Sequence, residues 1–74
     1  MILNRIKVDP AIMTGRPCIR GTRVTVGTVI GLLAAGCSIE EILADYPYIQ
    51  RADILECLSW AAYRTEEQEV VIQA

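Results

Sequence analysis

Histidine is absent from the 74-residue chain, and with it the commonest general base and metal ligand. A Cys–His or Ser–His nucleophile pair is therefore excluded within the chain. Cysteine is scarce and poorly spaced. Cys18, Cys37 and Cys57 form an odd set with no Cys-x-x-Cys pair, which argues against both a disulfide framework and a zinc site. They read instead as small core hydrophobes. No apolar run approaches the roughly 20 residues that a membrane span needs. The opening Met1-Ile2-Leu3-Asn4-Arg5 also lacks the basic-then-apolar layout of a secretion signal, so the expected location is cytoplasmic. Without convergent polar groups in a recognisable pattern, neither an independent enzyme, nor a metal, nor a cofactor is expected.

Apolar side chains, by contrast, are abundant, at 53% of the residues. A chain of this length holds one domain, and such a domain buries only about 60% of the surface its unfolded chain exposes. There is more apolar material than one small monomeric core hides. That excess predicts burial against another chain, with a homodimer or higher homo-oligomer as the simplest form.

Charge is divided along the chain. Residues 1–25 carry Arg5, Lys7, Arg16, Arg20 and Arg23 against Asp9 alone, a balance of +4. Residues 26–74 carry Arg51 and Arg64 against eight acidic residues, a balance of −6, for a net charge of −2. A basic N-terminal segment on an acidic body suits contact with phosphates or with an acidic protein surface. Arg16, Arg20 and Arg23 are interleaved with Gly15, Pro17 and Gly21, in an ordered loop without periodicity. Arginines on such a stiff loop reach into a groove without a bulky element behind them.

The pattern from Asn4 to Val8 alternates polar and apolar and stops at Asp9-Pro10, as a short strand does. Ala11 to Gly15 has room for a single helical turn. Thr25 suits the N-cap of a first helix over Val26 to Ala35, stopped by Gly36. Within it, Gly27 and Gly31 weaken the helix and leave room for close packing. Ser38-Ile39-Glu40-Glu41 is a capping box opening a second helix, with Ile39, Ile42, Leu43 and Tyr46 inward and Glu40, Glu41 and Asp45 in water. Pro47 breaks that helix. A third helix runs from Gln50 or Arg51 to Tyr63, with Ile54, Cys57, Leu58 and Ala61 on one face. Leu55, Trp60, Ala62 and Tyr63 make it apolar nearly all round, the mark of a helix buried on more than one side. Asp53, Glu56, Ser59 and Arg64 remain as its polar relief. The tail, 65–74, ends in Val70, Val71 and Ile72, read either as a short strand or as an end that orders on a partner.

Three short helices in this order make a helix-turn-helix layout, in which the start of the third helix lies in the major groove. That nominates Gln50 and Arg51 as base-contacting residues beside Arg16, Arg20, Thr22 and Arg23. Asp53 and Glu56 oppose deep insertion of that helix, which leaves the basic loop as the sharper DNA candidate.

The run from Ile12 to Val26, Ile-Met-Thr-Gly-Arg-Pro-Cys-Ile-Arg-Gly-Thr-Arg-Val-Thr-Val, resembles the signature of the family called domain of unknown function 433. So do Leu33 to Pro47 and the pair Asp53-Ile54, and the resemblance extends over roughly residues 6 to 63. It implies a mainly α, homeodomain-like three-helix domain with an extended N-terminal segment. It also implies VapB-type antitoxins that bind a nuclease-like toxin of PIN-related fold and repress their own promoter as dimers. The functional string it carries over is Gly15, Arg16, Pro17, Arg20, Gly21, Thr22 and Arg23. Two positions depart from the family pattern. Gln50 stands where a threonine cap for the third helix is common, and Ala52 where an acidic residue is common.

Three functional readings follow. The chain is a DNA-binding antitoxin acting on its own operator and a cognate toxin, with Trp60, Tyr63, Val70, Val71 and Ile72 facing partners. Alternatively, it is a protein-interaction or dimerisation module that touches no DNA. In the third reading the basic loop is an internal brace, with Arg20 and Arg23 paired to Glu40, Glu41 or Asp45.

Overall fold

A computed structural model of the protein describes residues 4–66. Three helices dominate these residues, and short-range hydrogen bonds set the ends of the first two and the start of the third. Helix α1 spans Val26–Ala34, with the Thr25 hydroxyl accepting the Thr28 amide at 3.0 Å as its N-cap. It closes in a Schellman motif. The Cys37 amide bonds the Leu32 carbonyl and the Gly36 amide bonds that of Leu33, each at 3.0 Å. Gly36 sits at φ +98°, a left-handed angle that a side chain would strain. Helix α2, Ile39–Asp45, opens on the expected capping box, with both Ser38–Glu41 bonds at 3.1 Å.

Helix α3 runs Arg51–Glu66, three residues beyond the expected end at Tyr63. The Gln50 side chain gives it no hydroxyl or carboxylate cap. Instead Asp53 reaches back, its carboxylate accepting the Gln50 amide at 2.8 Å while its own amide bonds the Gln50 carbonyl at 2.9 Å. The reciprocal half of a capping box thus stands where the usual half is missing.

The N-terminal segment is more ordered than a loop. Strand β1, Ile6–Lys7, pairs antiparallel with strand β2, Cys18–Ile19, in the register Ile6 with Ile19 and Lys7 with Cys18. The sequence pattern conceals β2 because Cys18 and Ile19 are both buried, so no alternation marks the strand. Between the strands, Met13–Gly15 form a single 3₁₀ turn as expected, but of left-handed backbone, with Met13 at φ 50° and Thr14 at φ 55°. Such angles cost a non-glycine residue about 1 kcal/mol each.

The core lies where α1, α2 and α3 meet the sheet. Val29, Ile42, Ile54 and Cys57 are its fully enclosed side chains, and Ile6, Ile19, Val26 and Ile49 close its edges. Cys18 and Cys57 are buried and Cys37 half-buried, all three with free thiols, in keeping with their reading as core hydrophobes. Helix α3 departs from expectation on its outer side. Ile54 and Cys57 are buried, yet Leu58 is exposed, as are Leu55 and Tyr63. Within the described residues, α3 is covered on one side only. No helix among these residues is long and apolar enough to cross a membrane.

Candidate nucleic-acid interface

The basic segment is carried on a closed turn. The Ile19 amide bonds the Val24 carbonyl at 2.9 Å, and the Thr22 amide returns to the Ile19 carbonyl at 3.0 Å. Gly21, at φ +80°, allows the tight reversal between them. The Val26 amide bonds the Pro17 carbonyl at 2.9 Å, so the start of α1 anchors the base of the turn. Arg20 and Arg23 project from this frame and are exposed, as is Arg16 just before β2. Arg5 pairs with Asp53 and Arg51 with Glu40, and among the described residues Arg16, Arg20 and Arg23 form no ion pair. Arg20 and Arg23 therefore make no pair with Glu40, Glu41 or Asp45, which removes the internal-brace reading of the loop.

The fold brings part of the expected set together. Lys7, Arg20, Arg23 and Tyr48 line one shallow groove, and Arg5, Arg20, Tyr48 and Gln50 line the next. Arg20 thus stands between the turn and the start of α3. Tyr48 and Lys7 join this face without having been singled out in the sequence. Tyr48 is 63% exposed and is held edge-on against Tyr46 with ring centroids 6.1 Å apart. Its only sequence signal is an aromatic residue directly after a helix-breaking proline.

Other expected residues are placed differently. The Thr22 hydroxyl is engaged within the turn, donating to the Ile19 carbonyl at 2.8 Å and accepting the Val24 amide at 3.0 Å. Its role is to hold the turn. Arg51 faces α2 and bonds Glu40 at 3.2 Å, both side chains in water. That bond, after the backbone amide of Glu40 itself, lowers the Glu40 carboxyl below its ordinary range. Trp60 is half-buried against the core and borders a separate groove with Arg16, Pro17 and Arg64. Tyr63 is exposed farther along α3. Val70, Val71 and Ile72, with the strand considered for them, lie outside the described residues.

A second cluster fastens the N-terminal segment to α3, and sequence spacing carries no trace of it. The Arg5 guanidinium donates to Asp53 at 3.0 Å and to the Gln50 side chain at 3.2 Å. Glu56 accepts the backbone amides of Asn4 and Arg5. Asp53 and Glu56, read as solvated relief on α3, are therefore partnered, and Asp53 is buried. Two negative charges that would oppose a phosphate backbone are taken up internally.

Their field also reaches Cys57. Burial first, then the Asp53 and Glu56 charges, push its thiol up to about 11 from an ordinary 9.0. The folded state holds this proton where the unfolded chain releases it, so stability falls as pH rises from 9 towards 11. By pH 10.5 the loss attributable to Cys57 is about 2 kcal/mol. Urea unfolding at pH 8 and pH 10.5 checks it, since Cys57→Ala should lose less stability between the two than the natural chain. Equal losses would mean that the thiol does not titrate on unfolding.

Among the described residues no three His, Cys, Asp or Glu side chains are grouped to hold a metal ion. No curated protein matches the chain. The structure is similar to the crystal structure of a DUF433 member protein from Anabaena variabilis ATCC 29413, at a TM-score of 0.81 and 28% identity. The match covers 86% of this chain but only 63% of that one, so the chain spans less than two thirds of that protein's length. The family model for the protein of unknown function DUF433 matches residues 6–61. That stretch takes in the paired strands, the basic turn and all but the end of α3, and the chain belongs to the DUF433 family.

Proposed function

We propose that the protein is a dimeric, DNA-binding antitoxin that acts in the cytoplasm. On this reading it occupies its own operator and neutralises a cognate toxin of PIN-related fold, with no catalytic step of its own. One observation carries the DNA half. The exposed guanidiniums of Arg16, Arg20 and Arg23 have no carboxylate partner among the described residues and stand on or beside a turn held by three backbone hydrogen bonds and hydroxyl bonds of Thr22. Arginines so placed are preorganised for phosphate oxygens, because little side-chain support has to be rearranged on contact.

The order α2, short turn, α3 is read as a helix-turn-helix, with Gln50 at the rim of the contact. The basic turn leads, and α3 follows. Within α3, Arg51 is engaged with Glu40 and the next basic residue is Arg64, too far along to share a groove edge with Gln50. The antitoxin half rests on the family resemblance of the Ile12–Val26 run and on the apolar surface left for a protein partner.

Fluorescence anisotropy with the DNA upstream of the protein's own gene tests the reading, with scrambled DNA as control. Binding that prefers the upstream sequence is expected. Its logarithmic salt slope should be about −3 per bound subunit, nearly one unit for each arginine that displaces a counterion. No binding, by the chain alone or with the product of the neighbouring gene, would leave an interaction module in its place.

A further inference from the structure

Helix α3 presents an outward face with no charge along it. Between its end residues Arg51 and Glu66, this face carries Ala52, Leu55, Leu58, Ser59 and Ala62. Leu55 is 49% exposed and Leu58 40%, and Ala62 is exposed as well. The charged residues of the same stretch turn elsewhere. Asp53 is buried against Arg5, Glu56 holds the N-terminal amides, and Arg64 borders the groove with Arg16 and Trp60. A helix face in water is ordinarily polar, and one in a DNA groove is basic. This face is neither, and Leu55, Leu58 and Ala62 recur at the three-and-four spacing of a helix-pairing seam.

We propose that two copies of this chain pair through α3, antiparallel, along Leu55, Leu58 and Ala62. The argument for a second copy is the symmetry of the seam. A two-fold axis between Leu58 and Ser59 sets Leu55 against the partner's Ala62 and Leu58 against the partner's Ser59. Each large side chain meets a small one. The two Arg51 side chains, each bonded to Glu40 of its own chain, then stand at opposite ends of the seam. Parallel pairing would set Ala62 on Ala62, leaving a gap, and bring the two Arg51 side chains together. The contact is small. α3 is about 24 Å long, and a face one helix wide buries less than the roughly 800 Å² per partner of a standard interface. A contact this small makes the pairing dependent on concentration.

This deepens the dimer in the functional reading by locating its contact. It is tested without DNA, so the two stand or fall separately. Sedimentation of the full chain over a rising concentration series should show a monomer passing to a dimer. Leu55→Glu with Leu58→Glu should remain a monomer throughout with an unchanged helical circular-dichroism spectrum, since both side chains are exposed. In a Cys37→Ser background, Leu55→Cys combined with Ala62→Cys should oxidise to a covalent dimer, while either cysteine alone should not. A natural chain that stays monomeric, a glutamate variant that still dimerises, or efficient cross-linking by Leu55→Cys alone would each overturn the proposal.

Discussion

Replacing Arg20 and Arg23 together by alanine should weaken binding to operator DNA by about 100-fold per bound subunit and leave the fold intact. Each guanidinium that meets a phosphate makes a charge-assisted hydrogen bond worth about 1.5 kcal/mol or more, and two such losses multiply to that factor. The salt slope should fall by about two units per subunit at the same time, since two counterion-releasing contacts of each chain have gone. Stability should barely move. Neither side chain has an ion pair among the described residues, and the turn that carries them is held by backbone bonds and by Thr22. Anisotropy titrations at two salt concentrations and a thermal melt of the double variant decide the matter. An unchanged affinity with an unchanged slope would move the DNA contact away from this turn. A lowered melting temperature would restore a structural role to the two arginines.

The second large effect is expected at Asp53, on stability. One carboxylate caps α3 through the Gln50 amide and holds the N-terminal segment through Arg5, and it does so while 8% exposed. Asp53→Ala leaves the first turn of α3 without its acceptor, at a cost of about 1 kcal/mol. It also strands a half-exposed guanidinium, whose partly screened pairing contributes up to about 1 kcal/mol. A loss of about 2 kcal/mol lowers the melting temperature of a domain this small by about 10 °C. Asp53→Asn keeps an acceptor for the Gln50 amide and should lose about half as much. Arg5→Ala should resemble the asparagine variant, because it removes the pair and spares the cap. If Asp53→Ala and Asp53→Asn melt together, the ion pair and not the cap carries the energy.

The cluster at Asp53 also bears on the proposed contact with DNA. Before the fold is known, Asp53 and Glu56 count against any approach of α3 to phosphates. Once folded, one is neutralised by Arg5 and the other bonds two backbone amides. The start of α3 can then stand beside Arg20 and Tyr48 without presenting bare carboxylates. The rest of its outward face, being uncharged, is left to protein.

The sequence by itself determined the caps of α1 and the start of α2, because their signals are local. Thr25 meets Thr28, Ser38 meets Glu41, and Gly36 closes α1 upon Leu32 and Leu33, all within five residues along the chain. Hydrogen bonds that short are encoded in residue type and spacing alone, as was the family, carried by one unbroken run of residues. Tertiary structure decided the rest. Strand β2 exists because Ile6 and Lys7 lie against it, and Cys18 and Ile19 show no alternation to announce it. Gln50, judged a poor cap from its side chain, is rescued by Asp53, which also holds Arg5 from 48 positions away. Arg51 is engaged by Glu40 across the α2–α3 turn, and the Thr22 hydroxyl is committed to its own turn while the residue still lines the groove with Arg20 and Arg23. Tyr48 and Lys7 enter it only because the sheet and the α2–α3 turn are packed side by side. Which side of an all-apolar α3 is covered was likewise a matter of packing. A helix hydrophobic all round has no preferred inner face until its neighbours choose one.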